Sequence, residues 1–184
     1  GSKDPYAVRR QALTIIYLIT EKKIRVDMEK IAGLVLSVYR AQAGKETNID
    51  EILEFIRQRE INYFKEKGFD YDIVSAVASA GGNDIYYDSC KAAAFMEERK
   101  KPGFNELMFS LSRPGNIVPQ GFKARPVDES LFTEPEEKAL FGAFSGFKAV
   151  FAEQQKNLDF KGVFDGFRAL KPLIDAYFEK VLVM

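Results

Sequence analysis

The sequence predicts an all-α protein, a helical bundle of some eight or nine helices. Three observations support this prediction: apolar residues recur at helical spacing, capping residues precede these runs, and alternating strand patterns are missing. The chain has 184 residues, of which 46% are hydrophobic and 29% are charged. That composition is typical of an ordinary soluble globular domain, and the length is sufficient to bury a core.

The first part of the chain divides into five predicted helices. Their starts are marked by residues whose side chains can accept hydrogen bonds from free N–H groups of a first turn: Asp4 (before Pro5), Asp27, Asn48, Asp70 and Asp84. The second to fifth helices are expected to end at Gly44, Gly68, Gly81-Gly82 and Pro102-Gly103, because glycine and proline disfavour continuation of a helix.

The second part is predicted to contain a short sixth helix and two long helices. The sixth helix, residues 105–111, is expected to be broken by Pro114-Gly115, followed by a loop over residues 113–127. Thr133 and Glu136 have the spacing of a capping box for a helix over residues 134–157. The last helix, residues 159–183, is expected to be bent or split at Pro172.

The overall composition excludes several classes of enzyme and site. Basic and acidic residues number 27 each, so no overall electrostatic field attracts a polyanion or a membrane surface. The chain has no histidine, which excludes Ser–His and Cys–His catalysis and His-ligated metals. Its single cysteine, Cys90, cannot form an intramolecular disulfide, so a cytoplasmic location fits best. No apolar run is long enough to span a membrane.

The strongest candidate for a binding site is a segment of locally concentrated positive charge. Residues 99–126 contain six basic residues and one acidic residue, and the basic ones are Arg99, Lys100, Lys101, Arg113, Lys123 and Arg125. A Pro/Gly-containing loop can spread such cations along a phosphate backbone, and Asn116 adds an amide that can contact a base edge. The alternative interpretation is a solvated charged surface.

The third predicted helix carries an acidic residue within its apolar stripe. Glu60 falls inside the arc of apolar residues, Arg59 lies on its rim, and Arg57 lies on the opposite rim, where exposure is expected. A carboxylate in an apolar stripe is costly unless paired. Glu60 is therefore expected either to form a structural ion pair or to mark a face that is partly open to a ligand.

Phenylalanines recur at near-helical spacing along the last two helices: Phe141, Phe144, Phe147, Phe151, Phe160, Phe164 and Phe167. Glycine pairs Gly142/Gly146 and Gly162/Gly166 would allow the helices to approach closely beside these rings. Buried packing between helices is the favoured interpretation, with stacking platforms for nucleic-acid bases as the alternative.

Several motifs, taken in order, resemble one known family. G-S-K-D-P-Y-A-V-R-R at residues 1–10, F-I-R-Q-R-E from Phe55, G-F-D-Y-D-I-V-S-A-V from Gly68 and S-R-P-G-N-I from Ser112 occur in the family's order. The closing segments V-D-E-S-L-F-T-E-P-E-E-K-A-L and L-K-P-L-I-D-A-Y-F-E-K-V-L-V-M follow in the same order. Together they resemble the β subunit of bacterial heterotetrameric glycyl-tRNA synthetase.

The resemblance implies a role in recognition of tRNA-Gly rather than in catalysis. In that family this region is the C-terminal, helical anticodon-binding domain, similar to that of arginyl-tRNA synthetases. Residues 1–184 are accordingly expected to be a single-domain fragment, with sub-units 1–112 and 128–184 joined by loop 113–127 as the finer division. The family continues past V-L-V-M with a D-x-x-L-R segment that is missing here. The family's ATP, Mg²⁺ and glycine chemistry belongs to the α subunit, so no cofactor and no catalytic residue are expected in this fragment.

The expected partners are tRNA-Gly and the α subunit, with no membrane and no DNA. The predicted tRNA-binding residues are Arg57, Arg59, Lys100, Lys101, Arg113, Asn116, Lys123 and Arg125, of which the resemblance supports Arg59, Arg113 and Asn116. A helical protein–protein interaction scaffold with no RNA contact is the main alternative, and it predicts an apolar patch on the exposed face of the third helix. A carboxylate- and Mg²⁺-dependent hydrolase is a third, weaker alternative because histidine is absent.

Overall fold

The computed structural model describes residues 7–43, 48–80, 82–123 and 125–181. Within these ranges it contains eight α-helices, one short 3₁₀ helix and no β-strand, which confirms the predicted all-α fold. The predicted helix start at Asp4-Pro5 and the predicted stop at Gly44 lie outside the described residues. None of the described helices is both long enough and apolar enough to cross a lipid bilayer.

The chain forms two compact units, Gly1–Met96 and Glu97–Met184. The first five helices in chain order are α1 (Val8–Glu21), α2 (Met28–Ala43), α3 (Ile49–Glu66), α4 (Tyr71–Ser79) and α5 (Ile85–Arg99). They are followed by α6 (Phe104–Ile117), the 3₁₀ helix (Glu129–Leu131), α7 (Pro135–Lys156) and α8 (Phe160–Lys180).

In the first unit, α3 packs against α1, α2 and α4. The core at this centre includes Ile16, Phe64, Val74 and Ile85, each almost completely buried. Asn48 performs its predicted capping role: its Oδ1 accepts the Asp50 N–H at 2.9 Å, which satisfies a donor of the first turn of α3. Asp70 is the N-cap residue of α4, but its side chain makes no capping hydrogen bond there, so this predicted cap is wrong.

In the second unit, α8 packs against both α6 and α7. Contrary to prediction, α6 continues through Pro114 to Ile117, so residues 113–117 are helical and not part of a loop. Likewise α8 is not split at Pro172, because Leu170 and Ile174 on either side of it are both buried. In α8, packing on the two sides of the proline offsets the cost of a proline in a helix interior, about 3 kcal/mol. In α6, residues 115–117 after the proline are exposed.

The capping box of α7 lies one residue later than predicted from Thr133 and Glu136. Glu137 Oε2 accepts the backbone N–H of Glu134 at 2.8 Å and that of Thr133 at 2.8 Å. Pro135 occupies the first helical position, which its fixed φ and missing N–H favour. The position of this proline, rather than the Thr133–Glu136 spacing, determines where α7 begins.

The phenylalanine series is only partly buried. Phe160 and Phe164 lie in the core, and Phe147 and Phe167 pack with ring centroids 5.2 Å apart. Phe144, however, remains 49% exposed, and no residue of α7 is fully buried. Packing between helices is thus confirmed for part of the series, whereas the Phe144 part of α7 lines an open apolar groove of about 490 Å³.

Candidate functional site

A polar, partly aromatic surface runs along the exposed side of α6. Asn105, Phe109, Ser112 and Asn116 are separated by four, three and four residues, which places them on one side of the helix, and all four are exposed. We call these four residues the α6 face. The opposite side of α6 contains the buried residues Phe104 and Leu107. Burial of that apolar side against the unit leaves the α6 face open to solvent.

Arg113, beside the α6 face, is held by two residues of α8. Its guanidinium carbon lies 4.3 Å from the centroid of the Phe178 ring, and its Nη1 lies 3.6 Å from Asp175 Oδ1. A cation over an aromatic face and close to a carboxylate is attracted by both. Arg113 is therefore oriented by the fold, and its side chain is only half-buried.

Asp175 is the centre of a polar cluster between α6 and α8. Its Oδ1 accepts a hydrogen bond from Ser110 Oγ at 2.7 Å, and its Oδ2 accepts one from Lys171 Nζ at 2.7 Å. The bonds from Lys171 and Ser110 hold the pKa of Asp175 below its usual value. The carboxylate is therefore charged at neutral pH and fixed in position.

A cleft of about 460 Å³ opens beside this cluster. Its lining residues are Asn105, Glu106, Phe109, Ser110, Lys171 and Asp175. We call this space the α6–α8 cleft. It combines the exposed aromatic ring of Phe109 with a positively charged donor, Lys171, and a negatively charged acceptor, Asp175. A flat polar ligand can stack on such a ring and form hydrogen bonds with such groups.

Two of the predicted cations are engaged in ion pairs at the start of the second unit. Lys101 Nζ is paired with Glu98, a buried carboxylate that also accepts a 2.7 Å hydrogen bond from Arg168 Nη2. These partners hold the pKa of Glu98 below its usual value, against the opposing effect of its burial. Lys100 Nζ lies 2.7 Å from Glu97 Oε1 on the surface. Both lysines therefore share their charge with local carboxylates.

Three other predicted residues are exposed in or after α6. Asn116 is in the last turn of α6, and Lys123 and Arg125 follow in the segment between α6 and the 3₁₀ helix. This segment is exposed where described and contains a turn in which the Phe122 N–H bonds to Pro119 O at 3.0 Å. Its cations are thus available to an anionic ligand.

Arg57, in the first unit, is half-buried, which corrects the expectation that it is exposed. Its Nη1 donates to Ala78 O at 3.0 Å, and its Nη2 lies 3.3 Å from Gly82 O and 3.4 Å from Asn83 Oδ1. The helical wheel of α3 places Arg57 correctly on a rim. It does not reveal that carbonyl oxygens at the end of α4 and just after it face that rim and accept its hydrogen bonds.

Arg59 folds back over its own helix. Its guanidinium carbon lies 3.6 Å from the centroid of the Phe55 ring, and its Nη1 donates to Phe55 O at 2.9 Å. As a candidate, Arg59 is either a base contact or the partner of Glu60, and among the described residues its guanidinium contacts Phe55 and not Glu60. Arg59 nevertheless keeps part of its surface exposed.

Glu60 is a buried carboxyl group whose Oε1 has no hydrogen-bond partner among the described residues. The pKa of Glu60 is raised to about 8, mainly by burial and also by nearby Asp88, and Arg57 partly opposes both effects. The expected structural ion pair is wrong. Arg57, the arginine whose charge acts on Glu60, donates its hydrogen bonds to the backbone oxygens of Ala78 and Gly82 instead. Glu60 is instead neutral at physiological pH, the form that burial favours.

The described residues offer no evident metal centre: among them, no three Asp, Glu or Cys side chains converge as ligands. Sequence analysis missed Asn105, Glu106, Phe109, Lys171 and Asp175 as site residues. A helical wheel of α6 extended beyond Pro114 would have grouped Asn105 and Phe109 with Asn116. No local pattern indicates Asp175, because only tertiary packing brings it to α6.

Comparisons with known proteins give a consistent relationship. A family model described as "Glycyl-tRNA synthetase beta subunit" matches residues 1–79. All 184 residues align with the glycine–tRNA ligase beta subunit of Geobacter sulfurreducens at 34% identity and with that of Clostridioides difficile at 32%. The corresponding protein of Persephonella marina is 30% identical, again over 100% of the chain. The chain spans about a quarter of the length of these curated relatives, 27% or 28%.

Proposed function

We propose that the chain, whose residues 1–79 match the model of the glycyl-tRNA synthetase beta subunit family, belongs to that family and binds the anticodon arm of tRNA-Gly. In this proposal the chain contributes to a glycine–tRNA ligase, an enzyme of protein biosynthesis, in the cytoplasm. The α subunit of that enzyme uses ATP and Mg²⁺, and it assembles with the β subunit into a heterotetramer. The chain itself supplies RNA contacts and no catalytic group.

One structural observation carries the proposal: the exposed end of α6 continues directly into an exposed cationic segment. Asn116 lies in the last turn of α6, Arg113 lies one turn earlier, and Lys123 and Arg125 follow within ten residues. Phosphate contacts position an RNA and base contacts specify it, and this surface contains residue types suited to both. The equal numbers of acidic and basic residues predict modest affinity for the chain alone, because little long-range attraction adds to these local contacts.

Glycine anticodons share cytosine at their second and third positions. A cytosine presents an N4 amino donor, so a carboxylate or a backbone carbonyl is its natural partner, while arginine and lysine hold phosphates. In an unpaired loop the bases are free to stack on aromatic or guanidinium planes. The proposal therefore predicts contacts of both kinds on the second unit.

The decisive experiment compares two RNAs with the same chain. Binding of tRNA-Gly is measured at fixed low salt beside a tRNA-Gly variant in which only the two shared cytosines are replaced by uracil. We expect measurable binding of tRNA-Gly and weaker binding of the variant, by about 1–3 kcal/mol for each well-read base. Absence of any binding to tRNA-Gly at low salt would refute the proposal.

A helical protein–protein interaction scaffold is the second candidate. Its predicted apolar patch is not on α3, whose exposed side contains Glu51, Glu54 and Gln58. Instead, α2 exposes Leu34, with 69% of its surface accessible, and its neighbour Val35. Exposed apolar residues in a row favour a protein partner. If the scaffold function is correct, the chain binds no tRNA-Gly at low salt. Leu34→Asp is then expected to abolish binding of the protein partner.

A further inference from the structure

We propose that the α6–α8 cleft is a pocket for one unpaired cytosine base, which stacks on Phe109 and donates its amino group to Asp175. This inference rests on the proposed function, because it names the part of the RNA that this surface reads. It also adds residues that the sequence did not indicate: Phe109, Asp175 and Lys171.

Phe109 supplies the stacking surface. It is 68% exposed, although α6 has an apolar side on which other large residues are buried. Its neighbours on the α6 face, Asn105 and Ser112, are polar, so the ring is an isolated aromatic platform. A base stacked on an aromatic ring removes apolar surface from water on both partners, and any base can do so. Phe109 therefore explains binding of a base but not the choice of base.

Asp175 determines which base the cleft prefers. Each of its oxygens accepts one hydrogen bond, from Ser110 Oγ and from Lys171 Nζ, both at 2.7 Å. An ionised carboxylate has about four acceptor positions, so acceptor capacity remains on the side that lines the cleft. The N4 amino group of cytosine would donate to it. Uracil presents a carbonyl oxygen at the same position, which a carboxylate repels.

Donors beside Asp175 complement the rest of the cytosine edge. Lys171 uses one hydrogen bond on Asp175, and an ammonium group has three N–H donors. Asn105 adds an exposed amide at the rim of the cleft. Cytosine has acceptors at N3 and O2 next to its amino group, so a carboxylate flanked by an ammonium group and an amide matches it. Guanine also has donors that face a carboxylate, and the experiment includes it.

The size of the cleft and the charge beside it fit the same ligand. A volume of about 460 Å³ is within the usual range of small-ligand sites, about 300–1,000 Å³, and accommodates one base with its ribose. Arg113, held against Phe178 and Asp175, lies beside the cleft residues. A guanidinium in this position can contact the phosphate of the bound nucleotide.

The test uses the full chain and RNA hairpins that carry the tRNA-Gly anticodon stem and loop. The hairpins differ at the two shared cytosine positions, which contain cytosine, uracil or guanine. Phe109→Ala is expected to weaken binding of the cytosine hairpin about tenfold, the scale of one base–aromatic stack. The matched control is Leu131→Ala, another large apolar residue that is more than two-thirds exposed in the second unit, and it is expected to leave the affinity unchanged.

Asp175→Asn tests the choice of base. It is expected to reduce the preference for cytosine over uracil about tenfold or more, while uracil hairpins bind as before or better. Asp165→Asn is the matched control, because Asp165 accepts a 2.7 Å hydrogen bond from Lys161 with the same four-residue spacing on α8. Circular dichroism of each variant confirms folding. If Asp175→Asn unfolds, Lys171→Met provides the comparison, because it removes the donor proposed for the cytosine edge, and it is expected to weaken binding of the cytosine hairpin more than of the uracil hairpin.

The outcomes separate this inference from the proposed function. If the wild-type chain binds the cytosine hairpin but Phe109→Ala and Asp175→Asn bind it equally well, the pocket is refuted and the proposed function stands. A preference for guanine over cytosine also refutes the inference. If no hairpin and no intact tRNA-Gly binds the wild-type chain, both are refuted.

Discussion

The guanidinium carbon of Arg113 lies 4.3 Å from the centroid of the Phe178 ring. The arginine thus connects α6 to α8, and its Nη1 is also close to Asp175 Oδ1, at 3.6 Å. A side chain oriented by two partners loses less conformational entropy when it binds a third group than a freely rotating one. This relationship makes Arg113 both a structural link and the best-positioned cation for a phosphate.

Arg113→Ala is expected to weaken tRNA-Gly binding by about 1–3 kcal/mol at fixed salt, because a charge-assisted contact is lost. The same change is expected to lower the free energy of unfolding by at most about 1 kcal/mol, the usual value of a partly exposed cation–π contact. Phe178→Leu is the control, since it removes the ring but keeps the cation. Unchanged tRNA affinity in Arg113→Ala would contradict its assignment.

Lys123 and Arg125 are expected to act through charge alone. Each is exposed, so replacing either by alanine should weaken binding of all tRNAs equally and reduce the salt dependence of log K by about one. Lys148→Ala, at an exposed position on α7, provides the comparison. Titrations at several salt concentrations measure the slope, and identical slopes in all variants would show that the segment contacts no phosphate.

Arg57→Ala is expected to reduce stability. The arginine donates to backbone oxygens of Ala78 and Gly82, and removal takes away both hydrogen bonds, of which the one to Ala78 is partly buried. A loss of about 1–3 kcal/mol in the free energy of unfolding is expected, measured by urea denaturation. Arg59→Ala, whose hydrogen bond is to Phe55 one turn earlier, should cost less. Arg57 remains a proposed tRNA contact only if the Arg57→Ala protein also binds RNA more weakly under conditions in which that variant is folded.

Glu60 predicts a specific pH dependence of stability. Its pKa is about 8 in the folded protein and 4.5 in the unfolded chain. Between these values the folded state binds the extra proton, so the free energy of unfolding falls as pH rises from about 4.5 to 8. Asp88 adds to the fall at lower pH, because burial raises its pKa to about 6.

Glu60→Gln is expected to remove most of this pH dependence. At pH 9 the variant should be more stable than the wild type, on the order of 3 kcal/mol, because the wild type must bury a charge there. Glu54→Gln, an exposed position on the same helix, should behave as wild type. Thermal denaturation from pH 5 to 9 measures the effect, and parallel curves for wild type and Glu60→Gln would refute the assignment.

Alanine substitutions at Gly166 and at Gly146 are expected to change the stability of the protein in opposite directions. A Cβ at Gly166 would collide with the Phe147 ring, whereas at Gly146 nothing lies within 4 Å. Gly166→Ala should therefore destabilise the chain by about 1–3 kcal/mol. Gly146→Ala should stabilise it by about 0.5–1 kcal/mol, since alanine favours a helix interior. Equal effects in chemical denaturation would contradict the close approach at Gly166.

The local elements of this protein could be predicted from its sequence. The helix starts at Asp27, Asn48 and Asp84 and the stop near Gly68 depend on hydrogen bonds and φ values within a few residues, which the sequence contains directly. The prediction of close approach is confirmed at Gly166. It is wrong at Gly142 and Gly146, because nothing lies within 4 Å of a Cβ placed there. Glycine spacing indicates where close approach is allowed and not whether a partner is there.

The tertiary structure alone decided what each charged or aromatic side chain contacts. The hydrogen bonds of Arg57 and the buried, unpaired state of Glu60 depend on residues distant in the chain. Asp175 meets Ser110 across 65 residues, a separation that no local spacing rule describes. Capping and periodicity are local interactions that a sequence displays, whereas burial and pairing of charges arise only when helices pack.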